Sequence, residues 1–135
     1  MKVIKEHNNI RNLVLIFDEN DGKNCQFPQL LFELMNDILR KNKLIGLVLH
    51  GVTMTSQNGK RLSEVIGSCV SLKFFSLKVH KKLNDYFEEF VMNLSKNKLL
   101  TALSICGGNL TKEHIKILIT RMQGLKVFDY RDKLN

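Results

Sequence analysis

The sequence predicts an α/β fold in the form of a short solenoid, with a parallel sheet on its concave face and helices on its convex face. A motif of the form L-x-x-L-x-L, with apolar exchanges, begins at residues 10, 44, 72, 100 and 125. Segments with the apolar spacing of an amphipathic helix lie between these motifs. Self-similarity with a period of about 20–50 residues is the signature of a repeat architecture. We therefore predict a single domain that spans residues 1–135.

Each motif predicts one short strand. The predicted strands lie near residues 10–17, 44–49, 72–77, 100–105 and 125–130. Because each strand leads through a short connection into a helix, neighbouring strands should be parallel and lie in sequence order. The first unit is longer than the others, and we interpret residues 18–27 (DENDGKNCQF) as a loop insertion.

The segments between the motifs predict four helices with recognisable ends. Pro28 suits the first position of the first helix, and Thr111 suits the cap of the fourth. Asn84 or Asp85 can cap the third helix, and Gly124 stands where a C-terminal glycine belongs. The apolar residues expected to face the core are Leu31, Leu34, Met35, Ile38 and Leu39; Leu62, Val65, Ile66 and Cys69; Phe87, Phe90, Val91 and Leu94; and Ile115, Leu118, Ile119 and Met122.

The tetrapeptide Lys-Asn-Lys-Leu occurs at Lys41–Leu44 and again at Lys96–Leu99, where two of the predicted helices return to the sheet. The two copies differ by one residue in their relation to the motif. Leu44 is the first leucine of its motif, whereas Leu99 precedes the motif leucine Leu100. We expect the loop to absorb this difference.

The motif and its spacing resemble the leucine-rich-repeat family, and the helix in every unit resembles its ribonuclease-inhibitor-like subclass. The resemblance extends from Ile10 to Tyr130, and it implies a binding scaffold without naming a partner. The family usually places Asn or Cys eight residues after the first motif leucine. Here those positions hold Asp18, Val52, His80 and Gly108.

Composition and cysteine usage bound the class of protein. Hydrophobic residues make up 44% and charged residues 25% of the chain, as in an ordinary globular domain. The stretch MKVIKEHNNI lacks the uninterrupted apolar region of a secretory signal. Cys25, Cys69 and Cys106 include no C-x-x-C pair, which argues against a disulfide framework and for a reducing compartment. We expect a cytoplasmic location.

We expect no enzyme activity, no cofactor and no metal. His50 and Cys106 share an outward row, but they lie on strands two and four, so two strand spacings should place them about 10 Å apart. Proton transfer within a nucleophile–base pair needs about 3 Å. The CGGN stretch at Cys106–Asn109 lacks the spacing of a phosphate-binding loop and is interpreted as a strand-to-helix turn. His7, His80 and His114 belong to different units and show no metal-ligand spacing.

The concave face is the predicted partner-binding site. Residues between the motif leucines should form three outward rows across the five strands, and several of them are apolar although an exposed sheet face is normally polar. A contiguous apolar patch of this kind marks an interaction site, whereas tight curvature or a covering terminal segment would also account for it. The predicted partner-binding residues are Val14, Ile16, Val48, His50, Phe74, Ser76, Lys78, Ser104, Val127 and Asp129.

A lysine-rich rim is the second predicted surface, and the net charge of +8 makes an anionic partner conceivable. The residues of this lysine rim are Lys41, Lys43, Lys73, Lys96, Lys98 and Lys126. An anionic membrane or nucleic acid could bind there, although scarce arginine and the lack of interspersed aromatic residues argue against nucleic acid. A solvated edge that blocks strand association explains the lysines equally well.

We therefore expect a protein-protein interaction module. A binder of anionic surfaces and a self-associating structural repeat are the alternatives. By analogy with compact host-directed bacterial effectors, a host cytosol is a second conceivable location. We expect a monomer, with the N-terminal edge as the place for self-association, since Val3 and Ile4 could form only a small cap there.

Overall fold

Five strands and four helices alternate along the chain in the computed structural model, which describes residues 10–17, 28–79 and 87–132. In chain order the elements are β1 (Asn12–Ile16), α1 (Gln29–Arg40), β2 (Gly46–Val52), α2 (Ser56–Ser68), β3 (Phe74–Val79), α3 (Phe87–Leu94), β4 (Ala102–Cys106), α4 (Lys112–Arg121) and β5 (Val127–Arg131). The predicted insertion at residues 18–27 and the cap candidates Asn84 and Asp85 lie outside the described residues, as do Val3, Ile4, His7, Cys25 and His80.

The strands form one sheet in the order β1-β2-β3-β4-β5, and every neighbouring pair is parallel. This confirms the predicted topology, which follows from a helix standing between each pair of strands. The predicted strand bounds were displaced, because each strand begins two residues after the first residue of its motif. The first motif leucines Leu44, Leu72 and Leu100 are fully buried in the loops that precede the strands.

The core lies between the four helices and one face of the sheet. Alternate strand residues reach it, because successive side chains of a strand point to opposite faces. Leu47, Phe75 and Leu103 form one buried row, and Leu49 and Leu77 belong to the next. The helices contribute their apolar stripes to the same cluster. The predicted stripes of α2 and α3 are buried, as the 3.6-residue spacing indicates.

The predicted stripes of α1 and α4 were partly wrong. In α1 the fully buried side chains include Phe32 and Asn36, which the apolar spacing did not single out, whereas Leu31 is only half-buried. In α4, Ile119 is 56% exposed. The matching residue of α3, Val91, is fully buried. Within the described residues no helix follows α4, so the side of α4 that carries Ile119 has no neighbour to pack against.

Local signals at the helix ends had mixed outcomes. Thr111 caps α4 by accepting a hydrogen bond from the backbone N–H of His114, as predicted. Pro28 is the residue before α1 and not its first residue. Gly124 lies beyond the end of α4, and it is required for a close approach: a Cβ there would lie 2.4 Å from the carbonyl oxygen of Lys98.

The CGGN stretch is a strand-to-helix turn, as predicted. Gly107 and Gly108 have φ values of 87° and 82°, and Asn109 has a φ of 53°. This left-handed region favours glycine and tolerates asparagine. A Cβ at Gly107 would also meet the carbonyl oxygen of Val79 at 2.2 Å, so the turn packs directly against the end of β3.

Tyr130 closes the last row of the core. Its register partner is Ile105, and its hydroxyl accepts a hydrogen bond from the backbone N–H of Leu110 at 2.9 Å. The same hydroxyl donates to the carboxylate of Asp132. Burial and this carboxylate raise the pKa of Tyr130 to about 12, so the phenol stays neutral and keeps both bonds.

Candidate functional site

The open face, defined as the sheet face away from the helices, carries three rows of side chains. The strand register aligns Asn12, Gly46, Phe74, Ala102 and Val127 in the first row; Val14, Val48, Ser76, Ser104 and Asp129 in the second; and Ile16, His50, Lys78, Cys106 and Arg131 in the third. These are the rows that the motif spacing predicts. All ten predicted partner-binding residues therefore lie on this one face.

The open face is apolar on both edge strands and at the first residue of the central strand. Val14 and Ile16 on β1 are 55% and 69% exposed, and Val127 on β5 is 60% exposed. Phe74, on the central strand, is 39% exposed. The register places Val48 beside Val14, so an aliphatic strip runs from β1 onto β2. An exposed patch of apolar side chains has a favourable free energy of transfer into a protein interface.

Phe74 stands between two small residues. Gly46 and Ala102 are its register partners on the neighbouring strands. A Cβ at Gly46 would lie 2.5 Å from the side-chain oxygen of Asn12, so the Asn12 side chain occupies the space beside Gly46. The aromatic ring has the small Ala102 on one side and the Asn12 side chain over Gly46 on the other, and it is 39% exposed.

A polar pair occupies the middle of the open face. The Nε2 atom of His50 lies 3.1 Å from the Oγ atom of Ser76, which is on the next strand and two residues out of register. The Ser76 side chain is 7% exposed, so it is buried although it belongs to an outward row. Burial lowers the pKa of His50, and the positive charge of Lys78 lowers it further. The imidazole is therefore neutral at neutral pH and can accept or donate a hydrogen bond.

The His50–Ser76 contact was missed by the sequence analysis, which paired His50 only with Cys106. The register places Lys78 of β3 between His50 and Cys106, so those two residues lie two strand spacings apart, as predicted. Cys106 is also buried, with 6% exposure, although its row was expected to be exposed. A diagonal contact between adjacent strands could have been derived from the predicted register, because such neighbours lie within reach of long side chains.

All six residues of the lysine rim are exposed, and they lie at the edge where the strands begin. A row of backbone hydrogen bonds defines this edge. The N–H groups of Ile45, Lys73, Thr101 and Lys126 each donate to the carbonyl of the residue one strand earlier, beginning at Arg11, over 2.6 to 3.0 Å. These bonds connect the N-terminal ends of all five strands, so the loops that carry the lysine rim lie side by side along one end of the sheet.

Two buried side chains in the rim loops bind the end of the preceding helix. Cys69 Sγ donates to the carbonyl of Leu39 at 3.7 Å, and Asn97 Nδ2 donates to the carbonyl of Ile66 at 2.8 Å. Cys69 and Asn97 are 28 residues apart, which is the interval between the motifs at 72 and 100. Asn and Cys thus satisfy backbone groups before the strand here, at the opposite end from the positions that the family pattern singles out.

The described residues contain no group of three His, Cys, Asp or Glu side chains that could hold a metal ion. In the same part of the chain no helix has the length and apolar character needed to cross a membrane.

No family model, no curated protein and no solved structure matches this chain.

Proposed function

We propose that this chain is a leucine-rich-repeat protein of the ribonuclease-inhibitor-like subclass, and that it binds a protein partner through the open face. The observation that carries the proposal is the exposed apolar surface of Val14, Ile16, Phe74 and Val127 on a face that no helix of the described residues covers. The repeated strand–helix unit and the parallel order of the strands support the repeat assignment.

The chemistry of the face favours a partner that presents an apolar side chain beside a carboxylate. Phe74 is the best anchor, because it is the one aromatic side chain in the three rows and aromatic residues often contribute strongly to binding. His50 and Lys78 are register partners in the third row, and both are half-buried. A carboxylate placed over this pair would accept hydrogen bonds from an imidazolium and an ammonium group.

Site-specific crosslinking tests the proposal. A photoreactive amino acid at position 74 should capture the partner from cytosol, whereas the same group at position 119 should not. Position 119 is a matched control, because Ile119 is also an exposed apolar residue but lies on α4. The captured protein should then bind Phe74→Asp at least about tenfold more weakly than the native chain, and Ile119→Asp with unchanged Kd. Equal Kd values for the native chain and Phe74→Asp would refute the open face as the site.

The pH dependence of that binding tests the role of His50. Among the described residues, the groups that face His50 are Ser76 and Lys78 on β3 and Ile16 on β1, and none of these three is acidic. A partner carboxylate should raise the pKa of His50 back towards its ordinary value of 6.5. Affinity should therefore increase as the pH falls through this region, because protonation then favours the complex. The variant His50→Gln should bind with an affinity that is flat across the same range; a preserved slope would exclude His50.

A further inference from the structure

A second surface, separate in function from the open face, lies at the edge where the strands begin. Its centre is the backbone-bonded row that runs from Arg11 through Ile45, Lys73 and Thr101 to Lys126. Three of these five residues are cationic, and all three are exposed. Lysines of the loops between helix and strand lie beside this row, so the cations of four units converge on one edge.

Within the described residues, the charged side chains of the loops at this edge are all cationic. The helix-to-strand segments 40–46, 67–74, 95–102 and 121–128 contain no aspartate or glutamate. Arg40, at the start of the first segment, lies 4.0 Å from Asp37 of α1, and none of the six lysines of the rim forms an ion pair with another described residue. On the helices, by contrast, Arg61 binds Glu33 at 2.6 Å, and Lys60 lies 3.7 Å from Glu89. A field of one sign that is not neutralised locally attracts an anionic surface.

Exposed aliphatic side chains stand among these cations. Ile45, Val70 and Leu99 are 36%, 57% and 45% exposed, and each lies in a different helix-to-strand segment. Ile45 belongs to the central row itself, one strand away from Lys73. A solvated edge that only blocks strand association needs the lysines but gains nothing from exposing aliphatic residues between them.

Helix C-termini explain only part of the charge. Lys98 Nζ donates to the carbonyls of Ser95 and Arg121, so this lysine satisfies the ends of two helical segments. The effect of a helix dipole falls off within the last turn. Lys73 and Lys126 lie beyond the last turns of α2 and α4, at the first residues of the sheet edge.

We propose that this edge is a docking surface for an anionic lipid bilayer. Lysines near a membrane bind the negative headgroups, while aliphatic side chains enter the boundary between headgroups and acyl chains. Cations mixed with exposed aliphatic residues fit that layered chemistry. Nucleic acid would use the cations but not the aliphatic residues, because bases stack on aromatic or guanidinium planes.

Vesicle co-sedimentation tests the charge requirement. The native chain should bind vesicles of phosphatidylcholine with about a third phosphatidylserine, and it should not bind phosphatidylcholine alone. The double variant Lys73→Glu/Lys126→Glu should lose at least about tenfold in partitioning to the anionic vesicles. The matched control is Lys112→Glu/Lys116→Glu, which makes the same change in charge on exposed residues of α4 and should leave partitioning unchanged.

The aliphatic residues provide the test that separates a bilayer from other anions. The variant Val70→Ser/Leu99→Ser should weaken binding to the anionic vesicles several-fold and leave binding to heparin and duplex DNA unchanged. Ile119→Ser is the control for removing an exposed aliphatic residue elsewhere, and it should have no effect on vesicle binding.

Insertion can be observed directly, because the chain contains no tryptophan. In the variant Leu99→Trp, anionic vesicles should shift the fluorescence emission to shorter wavelength, while Ile119→Trp should show no shift. A cooperative thermal unfolding transition with a Tm close to that of the native chain would confirm that each variant is folded. Equal loss from the rim and α4 charge reversals, tighter binding to duplex DNA than to vesicles, or no emission shift at position 99 would each overturn the proposal.

Discussion

The two copies of Lys-Asn-Lys-Leu have the same letters and opposite surroundings. Asn97, in the copy at Lys96–Leu99, is 2% exposed and makes four hydrogen bonds. Asn42, in the copy at Lys41–Leu44, is exposed and adopts a φ of 54°. The difference comes from the one-residue offset between each tetrapeptide and the leucine that starts its motif.

The Asn97 side chain is buried and bonds to the preceding strand–helix unit. The amide nitrogen of Asn97 donates to the carbonyls of Ile66 and Cys69, in the preceding unit. Its amide oxygen accepts from the backbone N–H groups of Leu99 and Leu100, so it also shapes its own loop. One buried side chain thereby joins two repeat units.

The Asn42 side chain is exposed and bonds to the following strand–helix unit. Asn42 Nδ2 donates to the carbonyl of Arg40, and Asn42 Oδ1 accepts from the backbone N–H of Val70 in the following unit at 3.0 Å. This asparagine supplies a left-handed residue at the end of α1, which asparagine tolerates better than most residues. The comparison shows that register relative to the motif, and not the local letters, decides whether an asparagine becomes part of the core.

Replacing Asn97 should have the largest effect. Asn97→Ala removes four hydrogen bonds and leaves buried backbone groups without partners, so we expect a loss of about 3 kcal/mol in the free energy of unfolding. Asn42→Ala should cost about 1 kcal/mol, because its partners can bind water instead. Denaturant unfolding measures both values. Equal midpoint shifts would mean that burial of the loop is not what distinguishes the two copies.

Gly124→Ala should break the contact between the Asn97 loop and the last unit. The new Cβ would lie 2.4 Å from the carbonyl oxygen of Lys98, which is backbone and cannot rotate away. Overpacking of this kind costs about 1–3 kcal/mol. Ser71→Ala is the counterpart for the Asn42 loop: Ser71, in the loop after α2, would lose its hydrogen bond to the carbonyl of Leu44, and the change should cost about 1 kcal/mol. If thermal melts show Gly124→Ala to be as stable as the native chain, the close approach is wrong.

Asn36 is a second buried asparagine, and a comparison with Asn97 distinguishes the effect of burial from the effect of hydrogen bonding. Asn36 is fully buried in α1, and within the described part of the chain neither its amide nitrogen nor its amide oxygen has a hydrogen-bond partner. Asn36→Leu should therefore raise the free energy of unfolding by about 1 kcal/mol, whereas Asn97→Leu should lower it. Chemical denaturation gives the sign for each; a destabilised Asn36→Leu chain would show that the position is polar for a reason.

The smallest effect is expected at the left-handed residue. Asn42→Gly loses the side-chain bonds but relieves the cost of a positive φ, so its stability should lie within about 0.5 kcal/mol of the native value. It should also exceed the stability of Asn42→Ala, which keeps the strain. If calorimetry ranks alanine above glycine at position 42, the left-handed conformation of this loop is incorrect.

The fold was predictable from the sequence where the alternation of apolar residues along a strand decided which side chains face the core. The three middle motifs place Leu47, Phe75 and Leu103 in the core and Val48, Ser76 and Ser104 on the opposite face, because strand alternation leaves no other arrangement. Ile119 was mispredicted by the same reasoning. Its spacing matches that of Val91, but burial needs a neighbouring helix, and spacing within one helix carries no information about neighbours.

The candidate surfaces divide in the same way. Membership of the open face and of the lysine rim follows from motif position alone. The burial of Ser76 under its contact with His50, and the burial of Cys106, depend on the side chains of adjacent strands. Such contacts join residues that are far apart in the chain, so a local sequence pattern cannot predict which of these side chains are buried.

By itself the sequence determined the repeating strand–helix unit, the parallel order of the strands and the residues on each face. The physical reason is that apolar periodicity and short connections are local properties, which every arrangement of the chain must satisfy. Only the tertiary structure decided which polar residues are buried and bonded. Within the described residues Asn97 has hydrogen-bond partners and Asn36 has none, because such partners come from other units and are brought within reach only when the units stack.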